Sequence, residues 1–193
     1  MTGAMVFAAG CASNGVKNPD GRPVTQMNAD EKGFVQGTGI ESQDLVAVSD
    51  KMARSILAVP QIAQALTPPV IVLDPVQNKT RFPINKDIFL TRLRTRLNSQ
   101  AAGKVQFLAR DRMAALQREQ ELNAANGVAG AATFKGADYI LTGALESIST
   151  RTSQGQSDYV LYSFQLIDAR TSVIIWEDSA EIKKQGLEDA AYR

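Results

Sequence analysis

The chain of 193 residues contains one cysteine, Cys11, and no histidine. An internal disulfide is therefore impossible, and the usual zinc sites and imidazole acid–base chemistry have no residues to work with. The carboxylates supply no substitute. Asp138 and Glu146 share a strand face in the sequence pattern, yet eight residues at ~3.3 Å each put them about 26 Å apart, too far for paired acid and base work. Glu119 and Glu121 fall on the charged surface of a helical segment, where a solvated role is the default. GVAGAAT, at 127–133, has the glycines of a phosphate loop without its lysine or the strand that should precede it. No GxSxG elbow, SxxK motif or cluster of oxygen ligands is present. The expectation is a protein with no catalytic residue, no metal site, no cofactor and no small-molecule substrate.

Cys11 itself invites another chemistry. It follows the apolar stretch Met5 to Ala9 and the small residues Ala8, Ala9 and Gly10. Small residues before a cleavage point let the backbone lie extended in the narrow cleft of a signal peptidase. Small, small, Gly, Cys is the lipobox order, in which the thiol is alkylated with diacylglycerol and the new amine is acylated after cleavage. The apolar stretch is shorter than a full signal core and has no Lys or Arg before it. Residues 1–11 are accordingly expected to be the late part of a signal peptide with its lipobox, the alternative being a cysteine tolerated in a frayed terminus. Each acyl methylene contributes about 0.8 kcal/mol, so two or three chains would hold the protein in a bilayer permanently. No window approaches the ~20 apolar residues of a membrane-spanning helix.

The rest of the chain must build whatever presents a surface. Hydrophobic residues at 44% and charged residues at 21% are ordinary for a folded domain, and a formal net charge of +1 gives no general attraction to nucleic acid. Residues 12–39 are rich in Gly, Asn, Asp and Pro without periodicity and read as a flexible tether. Residues 40–184 read as one globular domain, and 185–193 as a C-terminal tail. Leu45, Val48, Met52, Ile56 and Val59 recur at helical spacing, with Ser42 as the expected N-cap and Pro60 as the stop. Val70 to Leu73 is a β-branched and aliphatic run suited to an interior strand.

A second helix follows Asn85, with Phe89, Leu90, Leu93 and Leu97 inward and Arg92, Arg94 and Arg96 outward, as a solvated face or a docking patch. Lys104 to Leu108 predicts a strand, and 109–127 a third helix with Asp111 near its start and Gly127 past its end. Beyond a loop the period becomes two, predicting three strands in succession at 136–149, 157–168 and 172–182. In the middle one, Val160, Tyr162, Phe164 and Leu166 share a face, so one side is core and the other can be wet. The fold class expected is α+β, a mixed, mostly antiparallel sheet of four to five strands flanked by helices.

The blocks IESQDLVAVSDKMARSIL, PPVIVLDPVQNKTRFPIN, KVQFLARDRMAALQREQ, FKGADYILTGALESI and FQLIDARTSVIIWEDSAEIKK occur in this order over residues 40–184. In that order they resemble the LpoB family of outer-membrane lipoproteins that activate bifunctional, class A penicillin-binding proteins. The resemblance implies a fold like the N-terminal domain of TolB. It also implies docking onto a small regulatory domain of an inner-membrane peptidoglycan synthase, raising its glycosyltransferase and transpeptidase rates. Ala12 and Ser13 after Cys11, with no Asp, match the pattern that Gram-negative lipoproteins use for the outer membrane, which places the domain on its periplasmic face. The partner-binding residues proposed beside the family motifs are Asn78, Lys79, Thr80 and Arg81 after a strand end, flanked by Arg110, Arg112 and Tyr139. Equally open is a structural role, with Asn78 as a turn former and Tyr139 in the core. Trp176 is expected in the core. A second function class also stands: a structural or secretion-associated envelope lipoprotein with a TolB-like or curli-secretion-like domain.

Overall fold

The computed structural model describes Asn18, Gly21 and residues 24–127 and 134–187. Cys11 with the lipobox, the first part of the tether, part of the 128–137 loop and most of the C-terminal tail lie outside the described residues.

Helix α1, Ser42–Leu57, buries Val48, Met52, Ala53 and Ile56 along the expected stripe. Its N-cap is Glu41 rather than Ser42, because Asp44 reaches back to accept the Glu41 backbone N–H at 2.8 Å. Pro60 does not simply stop the helix. It opens a second, four-residue helix α2, Pro60–Ala63, at the one position where a missing N–H costs nothing.

Strand β1, Val70–Leu73, lies between β3, Gln106–Phe107, and β4, Tyr139–Thr152, and is parallel to both. After Leu73 the chain leaves the ladder for three residues and returns as β2, Gln77–Lys79, parallel to the same strand β4 at Ala144 to Glu146. Helix α3, Asp87–Gln100, buries Phe89, Leu90, Leu93 and Leu97. Asn85 supports its start, its Oδ1 accepting the Asp87 N–H at 3.2 Å. Strand β4, β5 (Gly155–Asp168) and β6 (Ile174–Gly186) form the expected meander. The sheet runs β3-β1-β4-β5-β6 with β2 beside β4. It is mixed and, by ladder length, mostly antiparallel; the short β2 makes a sixth strand beyond the four to five expected.

The core lies on one face. Leu141, Leu145, Val160, Tyr162, Phe164 and Leu166 point from the sheet toward α1 and α3, and the Phe89 ring sits 5.6 Å from Tyr162 and 6.3 Å from Phe164. On the opposite parity Tyr159, Leu161, Ser163 and Gln165 are half-buried, the wet side expected for such a meander. The arginines of α3 are not left to solvent: Arg96 makes a two-pronged bond to Asp50 of α1 at 2.6 and 2.7 Å, and Arg92 approaches the same carboxylate at 3.5 Å. The Arg96 hydrogen bond, against a smaller burial penalty, holds Asp50 below the usual carboxylate range. Trp176 packs against the core and donates to Ser55 Oγ at 2.9 Å. At the sheet's edge, Lys51 of α1 donates to the Ser179 carbonyl of β6 and pairs with Asp178 at 3.1 Å. The third helix begins as a 3-10 turn, Arg110–Arg112, and continues as α4, Met113–Ala125, which buries none of its residues.

Gly143 is where β4 meets the aromatic layer. A Cβ there would lie 2.5 Å from the Phe164 ring and 2.6 Å from the Ser163 carbonyl oxygen. Gly143→Ala is therefore expected to cost about 1–3 kcal/mol by overpacking, read as a lowered midpoint in urea with an unchanged slope; a midpoint within error of the wild type would contradict this packing.

Candidate functional site

The sequence-predicted residues fall in two separate places. Asn78 and Lys79 belong to β2 itself, rather than to a loop after a strand, because the ladder resumes beyond the Asp74 step-out. Asn78 closes a tight turn: its Oδ1 accepts the Thr80 N–H at 3.0 Å and the Thr80 O–H at 2.7 Å, and its Nδ2 donates to the Phe82 carbonyl at 2.8 Å. Lys79 pairs with Glu146 across the register at 3.0 Å, both side chains about half exposed, so the pair contributes ~0–1 kcal/mol.

Arg81 turns inward over the edge of the sheet. Its Nε and Nη2 donate to the two oxygens of Asp158 at 3.0 and 2.7 Å, its Nε also meets Ser149 Oγ at 2.8 Å, and its guanidinium lies 4.4 Å over the Phe82 ring. Asp158 is fully buried. The Ser149 hydroxyl on β4 and the Gln156 amide, at 2.9 Å, donate to it as well, and Thr38 from the segment before α1 adds a further bond. Burial pushes the Asp158 carboxyl up, but the four hydrogen bonds from Arg81, Ser149, Thr38 and Gln156 outweigh it and hold the group well below the usual carboxylate range. Beside it in the register, Lys184 of β6 donates to the Gly39 carbonyl at 2.9 Å and to Asp44 at 2.6 Å, with Glu41 at 3.4 Å. Residues 38–40 are thus buried against the sheet, and the expected tether ends earlier than residue 39.

The second place is the far end of β4. Arg110 donates to the Lys135 carbonyl at 3.1 Å, Arg112 extends into solvent beside Asp111 at 3.4 Å, and Tyr139 packs half-buried on the core. Tyr139 and Glu146 are seven residues apart on one strand, or ~23 Å. The two groups therefore cannot surround one small molecule; they are separate patches suited at most to a protein surface. Asp138 accepts the Val70 N–H at 2.8 Å and serves the sheet. Among the described residues no cluster of three or more acidic, Cys or His side chains is placed to hold a metal, and no helix is long and apolar enough to cross a membrane. Sequence reasoning missed Asp158, Ser149, Thr38 and Lys184. The signal for Asp158 was its parity, since it shares the inward face of β5 with Val160 and Tyr162.

The family model described as peptidoglycan-synthase activator LpoB matches residues 44–182, which takes in the helices and almost all of the sheet. No curated relative matches the chain. Among solved structures, the LpoB C-terminal domain from Salmonella enterica is 16% identical with a TM-score of 0.44, covering 72% of this chain and 98% of that one. The NMR structure of Escherichia coli LpoB is 15% identical with a TM-score of 0.44, over 96% of this chain and 90% of that one. Lipoprotein GNA1162 from Neisseria meningitidis is 18% identical with a TM-score of 0.39, over 64% and 88%.

Because the folded Asp158 pKa lies below its unfolded value of ~3.9, its stabilisation is present above that value and is lost as pH falls through the native one. Arg81→Ala should cost about 2–3 kcal/mol at pH 7, less than the ~3–5 of a wholly buried pair because Arg81 is 36% exposed. Asp158→Asn should flatten the decline of stability below about pH 4 relative to the wild type. Chemical denaturation from pH 3 to 7 checks both; parallel curves for Asp158→Asn and wild type would rule out this linkage.

Proposed function

The chain belongs to the peptidoglycan-synthase activator LpoB family, and from that membership we propose that it is an outer-membrane lipoprotein, anchored through Cys11 on the periplasmic face, that binds and activates a class A penicillin-binding protein. The observation that carries this reading is the extent of the family match, residues 44–182, across the whole folded body. The protein performs no step of the chemistry itself. It raises the synthase rates by binding the active conformation more tightly than the inactive one, and the shift it can produce is limited by that difference in affinity.

The anchorage sets the geometry. With Thr38 to Ile40 buried on the domain, the span left for the expected tether is residues 12–36, at most about 80–90 Å at ~3.3–3.6 Å per residue. As a flexible coil it averages nearer 30 Å. On this reading either an inner-membrane synthase reaches outward, or the partner lies closer to the outer membrane. Of the residues put forward for contact, Lys79, Arg81, Arg110 and Arg112 are exposed, while Asn78, Thr80 and Tyr139 are half-buried.

Adding the purified protein to a class A penicillin-binding protein should accelerate glycan polymerisation in a saturable manner, and mass spectrometry of the native protein should find Cys11 acylated at the mature N-terminus. Absence of both binding and rate change at micromolar protein, with assembly into rings in its place, would overturn the reading in favour of a structural envelope role.

A further inference from the structure

The sheet buries one face under α1 and α3, where Ile71, Leu141 and Leu166 join the core. Their chain neighbours Val72, Ile140 and Ile167 project from the opposite face. The ladders set these in line: Val72 beside Ile140, Ile140 beside Ile167, and Ile167 beside Ile174 across the bulge. Four β-branched side chains thus form a row across β1, β4, β5 and β6, about 14 Å long at ~4.8 Å per strand. Val72, Ile140 and Ile167 are half-buried, and Ile174 at the end of the row is 47% exposed. Two residues further along the strands the same face turns polar, with Thr142, Gln165 and Glu177 in register.

The connection from β3 to β4 has to pass this face. Both strands are parallel to β1, which lies between them. The chain moves from β1 outward to β3 through α3, on the core face, and then returns past β1 to β4 through α4. Such connections are right-handed in ~98% of cases, so reversing the direction of travel carries the helix to the other side of the sheet. The segments flanking α4 are already tied there. Gln106, which alternates with the inward Phe107, accepts from Lys135 Nζ at 3.2 Å, and Arg110 donates to the Lys135 carbonyl at 3.1 Å. Yet α4 buries none of its residues. Met113, Leu116 and Ala124 fall on one side of it at 3.6 residues per turn, with Leu122 on the other, and Leu116 is 40% exposed. The 13 residues of α4 span about 20 Å, enough to cross the row.

We propose that α4 is a lid: it swings from this outlying position to lie across the row, setting Met113 and Leu116 on Ile140 and Ile167. Both ends of the helix can turn. Arg112, at the junction with the 3-10 turn, has φ −113° and ψ 10°, in the bridge region rather than the helical one. Gly127, just past the other end, has φ +72°, which glycine adopts without steric cost. The lid stands apart from the activator reading, and no synthase enters its test.

In the full-length protein carrying Cys11→Ala, Leu116→Cys is paired with Ile140→Cys and, separately, with Ile167→Cys. Leu122→Cys, on the opposite side of α4, is paired with the same two positions. Under mild oxidation at least one Leu116 pair should close an internal disulfide at least tenfold faster than its Leu122 counterpart, read as a mobility shift on a non-reducing gel. A second measurement needs no cross-link: the single thiol of Ile167→Cys should react with a maleimide at least threefold faster once Leu116→Asp is added, with the circular dichroism of the folded domain retained. No internal disulfide in any pair, with labelling unchanged by Leu116→Asp, overturns the lid. Equal rates for the Leu116 and Leu122 pairs describe a helix that meets the sheet with no preferred side, and overturn it too. Disulfides that form only between two chains assign the row to a second copy and overturn it as well.

Discussion

A carboxylate with no exposure to water sits on the core face of this domain's sheet, near the β4–β5 hairpin, and the architecture around it follows from the need to satisfy it. Burying an ionised group is costly unless every oxygen finds a donor. Asp158 finds its donors on segments that are far apart in sequence: Arg81 beyond β2, Ser149 on β4, Gln156 on its own strand and Thr38 ahead of α1. Each of these segments would otherwise be a marginal attachment. β2 has three residues, and the stretch before α1 has no periodic apolar content. One charge thereby fixes the position of pieces that hydrophobic burial alone would leave loosely placed.

The arrangement also explains the division between interior and surface. The apolar core, from Leu141 and Leu145 through Phe164 and Leu166 to the stripes of α1 and α3, supplies the bulk of the burial. Polar clamps set the relative placement of its parts: Arg96 and Arg92 hold Asp50 between the two helices, and Lys184 ties the sheet to the start of α1. Asn78, Thr80 and Trp176, which lie within the stretch that matches the family, are engaged in internal bonds. They hold the shape of the body.

The amino-acid pattern made the local elements legible. The apolar stripes of α1 and α3, the aliphatic run of β1 and the alternation of the meander each follow from a period that a few consecutive residues display. It was less informative where distance in the chain intervenes. β2 is too short to show a period and exists because β4 offers it a ladder. Of the Lys104 to Leu108 run only Gln106 and Phe107 form the strand, since the Lys104 N–H is still bonded to the Ala101 carbonyl in the turn after α3. The cap of α1 moved from Ser42 to Glu41 because Asp44 and Glu41 satisfy each other's surroundings better than a serine hydroxyl would. The bond of Arg81 to Asp158 spans 77 positions, and no local pattern announces it. Only the inward parity of Asp158 hinted that a charge was about to be buried.

Strand β6 ends the sheet with 13 residues and, among the described residues, no strand beyond it. A bare edge of that length is a template on which other chains can stack. Here the ammonium of Lys51 occupies the carbonyl of Ser179 near its midpoint, the neighbouring N–H is taken by Asp178, and Glu177, Glu181 and Lys183 line the same stretch with charge. Copies of the domain brought close together can therefore sit side by side without stitching into fibres.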